Sequence, residues 1–349
     1  MKQTIVIVSD AWEPQVNGVV RTLRSTIAEL EAAGYQVVLI TPQGKRVFSL
    51  PSYPEIKLSI TGFGEIRQTL KRYPQAAVHI ATEGTLGLMA RAWCSFVRRP
   101  FTTSYHTQYP EYIAERLPVP LGLSYALLRW FHNGSARTLV ATESMRAQLR
   151  EHGFKNLVHW GRGVDTEQFK LPTALPDAQT PILVYMGRVA PEKNIKDFLE
   201  LELPFAHRKW VIGDGPVKAA LQGQFPEVTF FGYLHGEALS QQLAKADVFV
   251  FPSKTDTFGL VILEANACGL PVAAYPFAGP VDLILPGVNG ELSHRLDKAV
   301  MRAMQIGKSQ CRAYAQNFSW QKSSADFAKH MCFPCPVVEG QANVETAYK

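Results

Sequence analysis

FPSKTDTFGLVILEANACGLPVAA, residues 251–274, is the stretch whose reading decides the fold. Residues 247–251 form a compact apolar run of strand length, and 252–257 are rich in turn formers. Residues 258–268 contain nothing that breaks a helix except Gly259 at the start. Gly269 supplies a stop, with Pro271 just beyond it, and 272–274 open another strand. Strand, loop, helix and strand in that order make one unit of an α/β fold with a parallel sheet.

Two carboxylates bracket the helix start: Asp256 before it and Glu264 inside it, with seven residues between. At about 1.5 Å of rise per residue they lie on the order of 10 Å apart, near the length of a nucleoside diphosphate. Between them, the backbone of Phe258, Gly259 and Leu260 offers first-turn N–H groups without intrahelical partners, where the helix dipole favours an anion. Glu264 alone reads as well as a glutamate on the wet edge of a buried helix. Its spacing from Asp256 favours one ligand touching both.

Working outward, residues 182–186, 210–212 and 228–231 read as further strands separated by helical stretches. Gly187-Arg188 closes the first of these and Lys193 follows in Ala-Pro-Glu-Lys-Asn. Two cations near a helix start suit a pyrophosphate, whose charge needs neutralising as it departs; singly, each reads as a solvated surface residue. A second βα series fills the first half, with strands at 4–8, 35–41, 76–80, 101–105 and 138–142, helices at 19–33, 86–98 and 144–152, and residues 158–164 closing the domain with the phrase WGRGVD. Gly18 sits in the first βα turn, where doubly wound sheets receive ligands, although one glycine is not a dinucleotide fingerprint and a plain turn explains it too. His106 stands at the end of the 101–105 strand, a position open to a ligand contact or to a satisfied structural histidine.

These phrases resemble glycosyltransferase family 4, retaining enzymes of the GT-B fold whose signature is Glu, seven residues, Glu, with Phe-Gly between. The resemblance implies that Asp256 holds hydroxyls of the donor sugar and Glu264 the ribose of the nucleotide. The family has Glu at the first position, so Asp256 departs from the pattern by one methylene. PQVNGVV, 14–20, is similar to the family's acceptor-side glycine loop, which implies that Gly18 lies against the donor sugar and its phosphate. TSYHTQYPEYI, 103–113, resembles the segment whose histidine contacts the sugar near the reacting carbon, and this role falls on His106. Gly187-Arg188 with Lys193 resembles the diphosphate clamp, Gly213-Asp-Gly215-Pro the next nucleotide-facing loop, and residues 231–234 the loop beside the base. The resemblance runs over residues 4–330.

The implied architecture is two Rossmann-like, doubly wound parallel-sheet domains facing a cleft. Residues 1–165 form the acceptor side, 166–181 a linker rich in Pro, Thr, Ala and Gln, 182–315 the nucleotide-sugar side, and 316–349 a segment crossing back. The implied reaction moves a sugar from a UDP- or GDP-sugar to an acceptor hydroxyl with retention, with Asp256, His106, Arg188 and Lys193 at the chemistry. The nucleotide sugar is a substrate, so no cofactor is expected. No metal is expected either, because the chain has no Asp-x-Asp and the cations and helix start supply positive field. A glycosyltransferase with a soluble or polysaccharide acceptor is one alternative, and a non-catalytic sugar-nucleotide-binding protein, a GT-B epimerase and a phosphorylase are those from other classes. The clamp with both acids speaks against the non-catalytic protein, and no cofactor-bearing lysine is evident for the phosphorylase.

At 349 residues, with 46% hydrophobic and 19% charged, the chain can bury two cores. Residues 1–163 hold 19 Lys and Arg against 11 Asp and Glu, whereas the remainder holds 17 against 19. Five cysteines without framework spacing fit a reducing compartment, and the single Cys332-Phe-Pro-Cys335 lacks a second pair for zinc. The opening MKQTIVIVSDAW reads as a first strand and not a leader, because Asp10 interrupts a short apolar core. No window of about 18 apolar residues suggests a membrane span. Residues 117–131, LPVPLGLSYALLRWF, combine an apolar helix with Tyr125, Trp130 and Phe131 between Arg116 and Arg137. This pattern suits a core helix or a segment lying in a membrane interface. With the basic first half, and with the resemblance to a family that has many lipid-acceptor members, it leads us to expect a membrane lipid or lipid-linked acceptor, reached by a peripheral protein on an anionic surface at the cytoplasmic face of the inner membrane. No aromatic and basic motif for nucleic acid accompanies the charge.

Overall fold

A computed structural model describes residues 2–15, 17–50, 53–60, 62–108, 110, 120–172 and 180–334. The strands are β1 (Thr4–Val8), β2 (Gln36–Ile40), β3 (Val47–Leu50), β4 (Tyr53–Ser59), β5 (Ala77–Ile80), β6 (Thr102–Tyr105), β7 (Arg137–Val140), β8 (Leu157–His159), β9 (Ile182–Met186), β10 (Arg208–Ile212), β11 (Thr229–Gly232), β12 (Val248–Phe251), β13 (Val272–Ala274) and β14 (Gly290–Leu292). They form two six-stranded sheets, ordered β2-β1-β5-β6-β7-β8 and β11-β10-β9-β12-β13-β14, and a hairpin β3-β4. Every neighbouring pair in the second sheet is parallel, as are β1 with β2 and with β5 in the first.

Two apolar layers sandwich the second sheet because strand side chains alternate between faces. From β9, Ile182, Val184 and Met186 join one layer, whereas Leu183 and Tyr185 join the other. From β12, Phe249 and Phe251 divide from Val248 and Val250 in the same way. With both faces covered, β9 is apolar without interruption. Order in this sheet reverses between β9 and β12, which pair with each other although two strands separate them in sequence. That reversal opens a crevice at the carboxyl ends of the two strands, the position at which open α/β sheets take ligands. The loops that follow β9 and β12 carry Arg188, Lys193 and Asp256.

By compactness the chain divides into one unit of residues 1–104, 130–138 and 328–349, and another of residues 105–129 and 139–327. The first has its own core of Val6, Val8, Ile66, Leu70, Val78, Ile80 and neighbours. Several expected boundaries shift for local reasons. The helix expected at 258–268 runs Leu260–Ala267, since Gly259 takes a left-handed conformation at φ 90° and sits outside it. Residues 158–164, expected to close the first domain, overlap the short strand Leu157–His159 and then form a loop. The β3-β4 hairpin and the helix Phe63–Arg72 were not expected at all. Cys335, Glu111, Arg116, residues 117–119, 173–179 of the expected linker and the tail from 335 lie outside the described residues.

Candidate active site

Three side-chain contacts stitch the loop after β9 to the loop after β12. Lys193 Nζ meets Asp256 Oδ1 at 2.6 Å, with both side chains about one-fifth exposed. Thr255 Oγ1 donates to Glu192 O at 3.1 Å and Asn194 Nδ2 to Pro252 O at 3.1 Å. Pro191–Lys193 is a single 3-10 turn, closed by Asn194 in the left-handed region at φ 52°, which turns Lys193 toward the acid. The second oxygen of Asp256, Oδ2, is buried and no described residue hydrogen-bonds it. A buried carboxylate oxygen without a partner is an acceptor in need of a donor. A hydroxyl of a bound ligand would satisfy it.

Arg188 stands on the same loop, its guanidinium 3.7 Å from the buried Glu192 carboxylate. Its backbone carbonyl accepts from Tyr185 Oη at 2.7 Å, and burial pushes the Tyr185 phenol up, so it remains a donor. Gly213 and Gly215 are explained by the meeting of two backbones. A Cβ on Gly213 would lie 1.9 Å from Gly187 O, and one on Gly215 would lie 2.2 Å from Val189 O. Gly187 N in turn donates to Ile212 O and Val189 N to Asp214 O. The three glycines and two cations expected in these loops therefore gather at the carboxyl ends of β9 and β10. The helix Leu260–Ala267 begins beside them with no side-chain cap, which leaves first-turn N–H groups for an anion. Phe258 is buried in the core, so only its backbone faces that way. Glu264, 4% exposed, lies in the helix interior.

His106 joins the same group. Its carbonyl accepts from Thr257 Oγ1 at 2.6 Å, while Thr142 Oγ1 donates to Thr257 O at 3.4 Å. The residue after Asp256 thus fixes the backbone of His106. The imidazole rests edge-on against Trp160, with centroids 5.8 Å apart, and its Nδ1 is 3.3 Å from Arg162 Nη2. Sequence reasoning quoted the loop of Arg162 but gave that residue no part. The usable signal was a charged residue in the loop beyond a parallel strand. Thr255 and Thr257, which lock the two loops and the histidine together, were missed because their partners lie 63 and 151 positions away.

The remaining expected residues lie on other elements. Gly18 is the exposed first residue of the helix Gly18–Ala32 in the other unit, and Asn17 caps that helix through Val20 N at 3.0 Å. In the helix Leu121–Asn133, Tyr125 and Phe131 are each 2% exposed, Tyr125 stacking on His152 at 3.6 Å. A membrane-facing role for these two rings is therefore corrected: they are core. Trp130 is 53% exposed, with Leu123 and Leu127 exposed at helical spacing before it. Among the described residues no group of three or more His, Cys, Asp or Glu could hold a metal ion, and no helix is long and apolar enough to cross a membrane.

Comparison with known proteins agrees with this geometry. Residues 16–168 match the family described as Glycosyltransferase Family 4, and residues 180–306 that described as Glycosyl transferases group 1. A GDP-mannose-dependent alpha-mannosyltransferase of Mycobacterium tuberculosis (strain CDC 1551 / Oshkosh) is 30% identical over 329 residues, covering 85% of this chain and 86% of its own. An alpha-monoglucosyldiacylglycerol synthase of Streptococcus pneumoniae (strain ATCC BAA-255 / R6) is 26% identical over 86% of this chain and 78% of its own. In fold, a sucrose-phosphate synthase from Thermosynechococcus elongatus matches with a TM-score of 0.72 at 20% identity, over 94% of this chain and 98% of that one.

Proposed function

Because the chain belongs to glycosyltransferase family 4 and has the GT-B architecture, we propose that it moves a sugar with retention from a UDP- or GDP-sugar to a diacylglycerol-type or lipid-linked membrane acceptor. The observation that carries the site is Asp256, held through one oxygen by Lys193 while its other oxygen is buried without a partner among the described residues. In this reading Asp256 Oδ2 accepts from a hydroxyl of the donor sugar, and Glu264 takes the ribose. Arg188, Lys193 and the Phe258–Leu260 backbone neutralise the diphosphate as the bond from the anomeric carbon to phosphate oxygen breaks. Gly187, Gly213 and Gly215 hold the loops that present these groups, and His106 meets the sugar. The acceptor oxygen bonds to the same face of the anomeric carbon, and its proton passes to the departing phosphate. Positive field comes from the protein, and we propose that the reaction needs no divalent metal.

Residues 1–165 then form the acceptor domain, marked by the Gly18 loop, and 182–315 the donor domain, with 166–181 linking them and 316–349 returning. The names of the two relatives support a GDP-sugar or another nucleotide sugar as donor and a diacylglycerol lipid as acceptor. A membrane surface is supported by exposed Leu123, Leu127 and Trp130, by Phe96 at 82% exposure, and by Arg91 stacked 3.7 Å over Trp130. Each basic residue near an anionic leaflet adds about 1 kcal/mol of attraction. We place the protein peripherally on the cytoplasmic face of the inner membrane, in keeping with the free described cysteines. The test supplies labelled UDP- and GDP-sugars with anionic liposomes containing diacylglycerol, with and without a chelator. Label should enter the lipid from one donor at an unchanged rate under chelation. Label in water-soluble product alone, or a rate lost to the chelator and restored by magnesium, would refute the acceptor or the metal-free chemistry respectively.

A further inference from the structure

Arg162 is 5% exposed, and no carboxylate among the described residues pairs with it. Its Nη1 donates to the carbonyls of Trp160 and Gly161, its guanidinium lies 4.0 Å from the Trp160 ring centroid, and its Nη2 is 3.3 Å from His106 Nδ1. Burial lowers its pKa to about 9, which still leaves a cation at neutral pH. A buried cation without a counter-charge is a costly way to hold two carbonyls. Its third target gives it a purpose.

A guanidinium has only donors, so the direction of the bond to His106 is fixed: Arg162 donates and Nδ1 accepts. A neutral imidazole whose Nδ1 accepts carries its proton on Nε2, and a neighbouring cation disfavours a second proton. The geometry assigns to Arg162 the role of a positioning residue that holds His106 as the Nε2–H tautomer, so that His106 offers a ligand a hydrogen-bond donor and not a base. The Thr257 bond to the His106 carbonyl fixes the backbone that carries the ring, and the Trp160 contact restricts the ring itself. That the ligand is the donor sugar rests on the function proposed above; the tautomer does not. If both hold, Nε2 is already protonated and the acceptor hydroxyl must lose its proton elsewhere.

Imidazole nitrogen NMR of the full-length protein at neutral pH tests this, with the His106 signals among nine histidines assigned by their loss in His106→Gln. The wild type should show an unprotonated Nδ1 and a protonated Nε2. Arg162→Met should give mixed tautomers or imidazolium, and Arg162→Lys, which keeps a cationic donor, should restore the wild-type pattern at least in part. A wild-type Nδ1–H or imidazolium signal, or an unaltered tautomer in folded Arg162→Met, overturns the inference; if the Met variant does not fold, the wild-type and Lys spectra decide. Sugar transfer read alongside should drop roughly tenfold in kcat for Arg162→Met, the size of one hydrogen bond. The expected spectra with unchanged transfer would uphold the tautomer and remove His106 from the proposed reaction.

Discussion

Asp10 follows β1 and Asp256 follows β12 after a short loop, so each carboxylate stands beyond the carboxyl end of a strand in a parallel sheet. Asp10 is 3% exposed and uses both oxygens inside the protein. Oδ1 accepts from Leu86 N at 2.9 Å and Thr85 Oγ1 at 3.3 Å, and Oδ2 from Thr82 Oγ1 at 3.0 Å and Gly87 N at 3.2 Å. The helix Thr85–Phe96 has no cap from its own Gly84, so Asp10 caps it from 75 positions away. Asp256 instead has one bond to Lys193 and a buried oxygen with none from the described residues. Both stand at the carboxyl end of a parallel strand, each in its own sheet. What separates a structural acid from a ligand-binding one is whether the fold has already satisfied it.

The sharpest way to break that distinction is to remove the partner of Asp256. Lys193→Met should lower kcat by about 10²- to 10³-fold, as loss of one preorganised electrostatic group does, with the fold intact by circular dichroism. Asp256→Asn, which keeps the shape, should lower kcat by at least about tenfold while the donor KM moves little, because its role is to a sugar whose charge changes in the transition state. Full activity in both variants would class Asp256 with Asp10. Conversely, Asp10→Asn should cost about 1–3 kcal/mol in chemical denaturation, since an amide cannot accept at both positions, and should leave the rate per folded molecule unaltered. Glu264→Gln has a smaller expected effect, roughly a tenfold rise in donor KM with kcat kept, the worth of a hydrogen bond to a ribose away from the reacting carbon. A fall in kcat instead would move Glu264 into the chemistry.

The two acids were unequally legible in the sequence, and so was the fold around them. β9 was read end to end, because a strand covered on both faces is an uninterrupted apolar run. The hairpin β3-β4 escaped because Pro51 and Pro54 punctuate VFSLPSYPEIKLS, and proline argues against a strand. The helix Phe63–Arg72 escaped because only Ile66 and Leu70 are buried in it, too short a stripe beside Gly62 and Gly64. Asp256 was found through its fixed spacing to Glu264 on one local element. Asp10 drew notice only as an interruption, since its four partners come from residues 82–87 and no local pattern points to them. Arg162 is the same case at the site itself: its bond to His106 spans 56 positions. Local chemistry is written in spacing, whereas satisfaction is a property of the folded chain.

The smallest expected effect separates burial from hydrogen bonding at Asp10. Burial holds its carboxyl above the ordinary value of 3.8, and the four bonds, which act in the opposite direction, do not overcome this. The native chain therefore keeps a proton on Asp10 in a window, from 3.8 up to the raised native value, where the unfolded chain has already released it. Stability rises with pH where the unfolded state binds more protons; here the native state binds more, so the sign reverses. The contribution of Asp10 is fullest below the unfolded value and declines as pH rises through the window. Asp10→Asn has no proton to release there, while acids held below their ordinary range, such as Asp197 beside Tyr275 and Asn194, act the same in both proteins and cancel in the difference. Urea unfolding of the two proteins as a function of pH should thus show the margin in favour of the wild type narrowing with rising pH and then levelling. A margin that widens would mean the four donors outweigh burial and hold Asp10 in its charged form, a carboxylate cap favoured by the helix start.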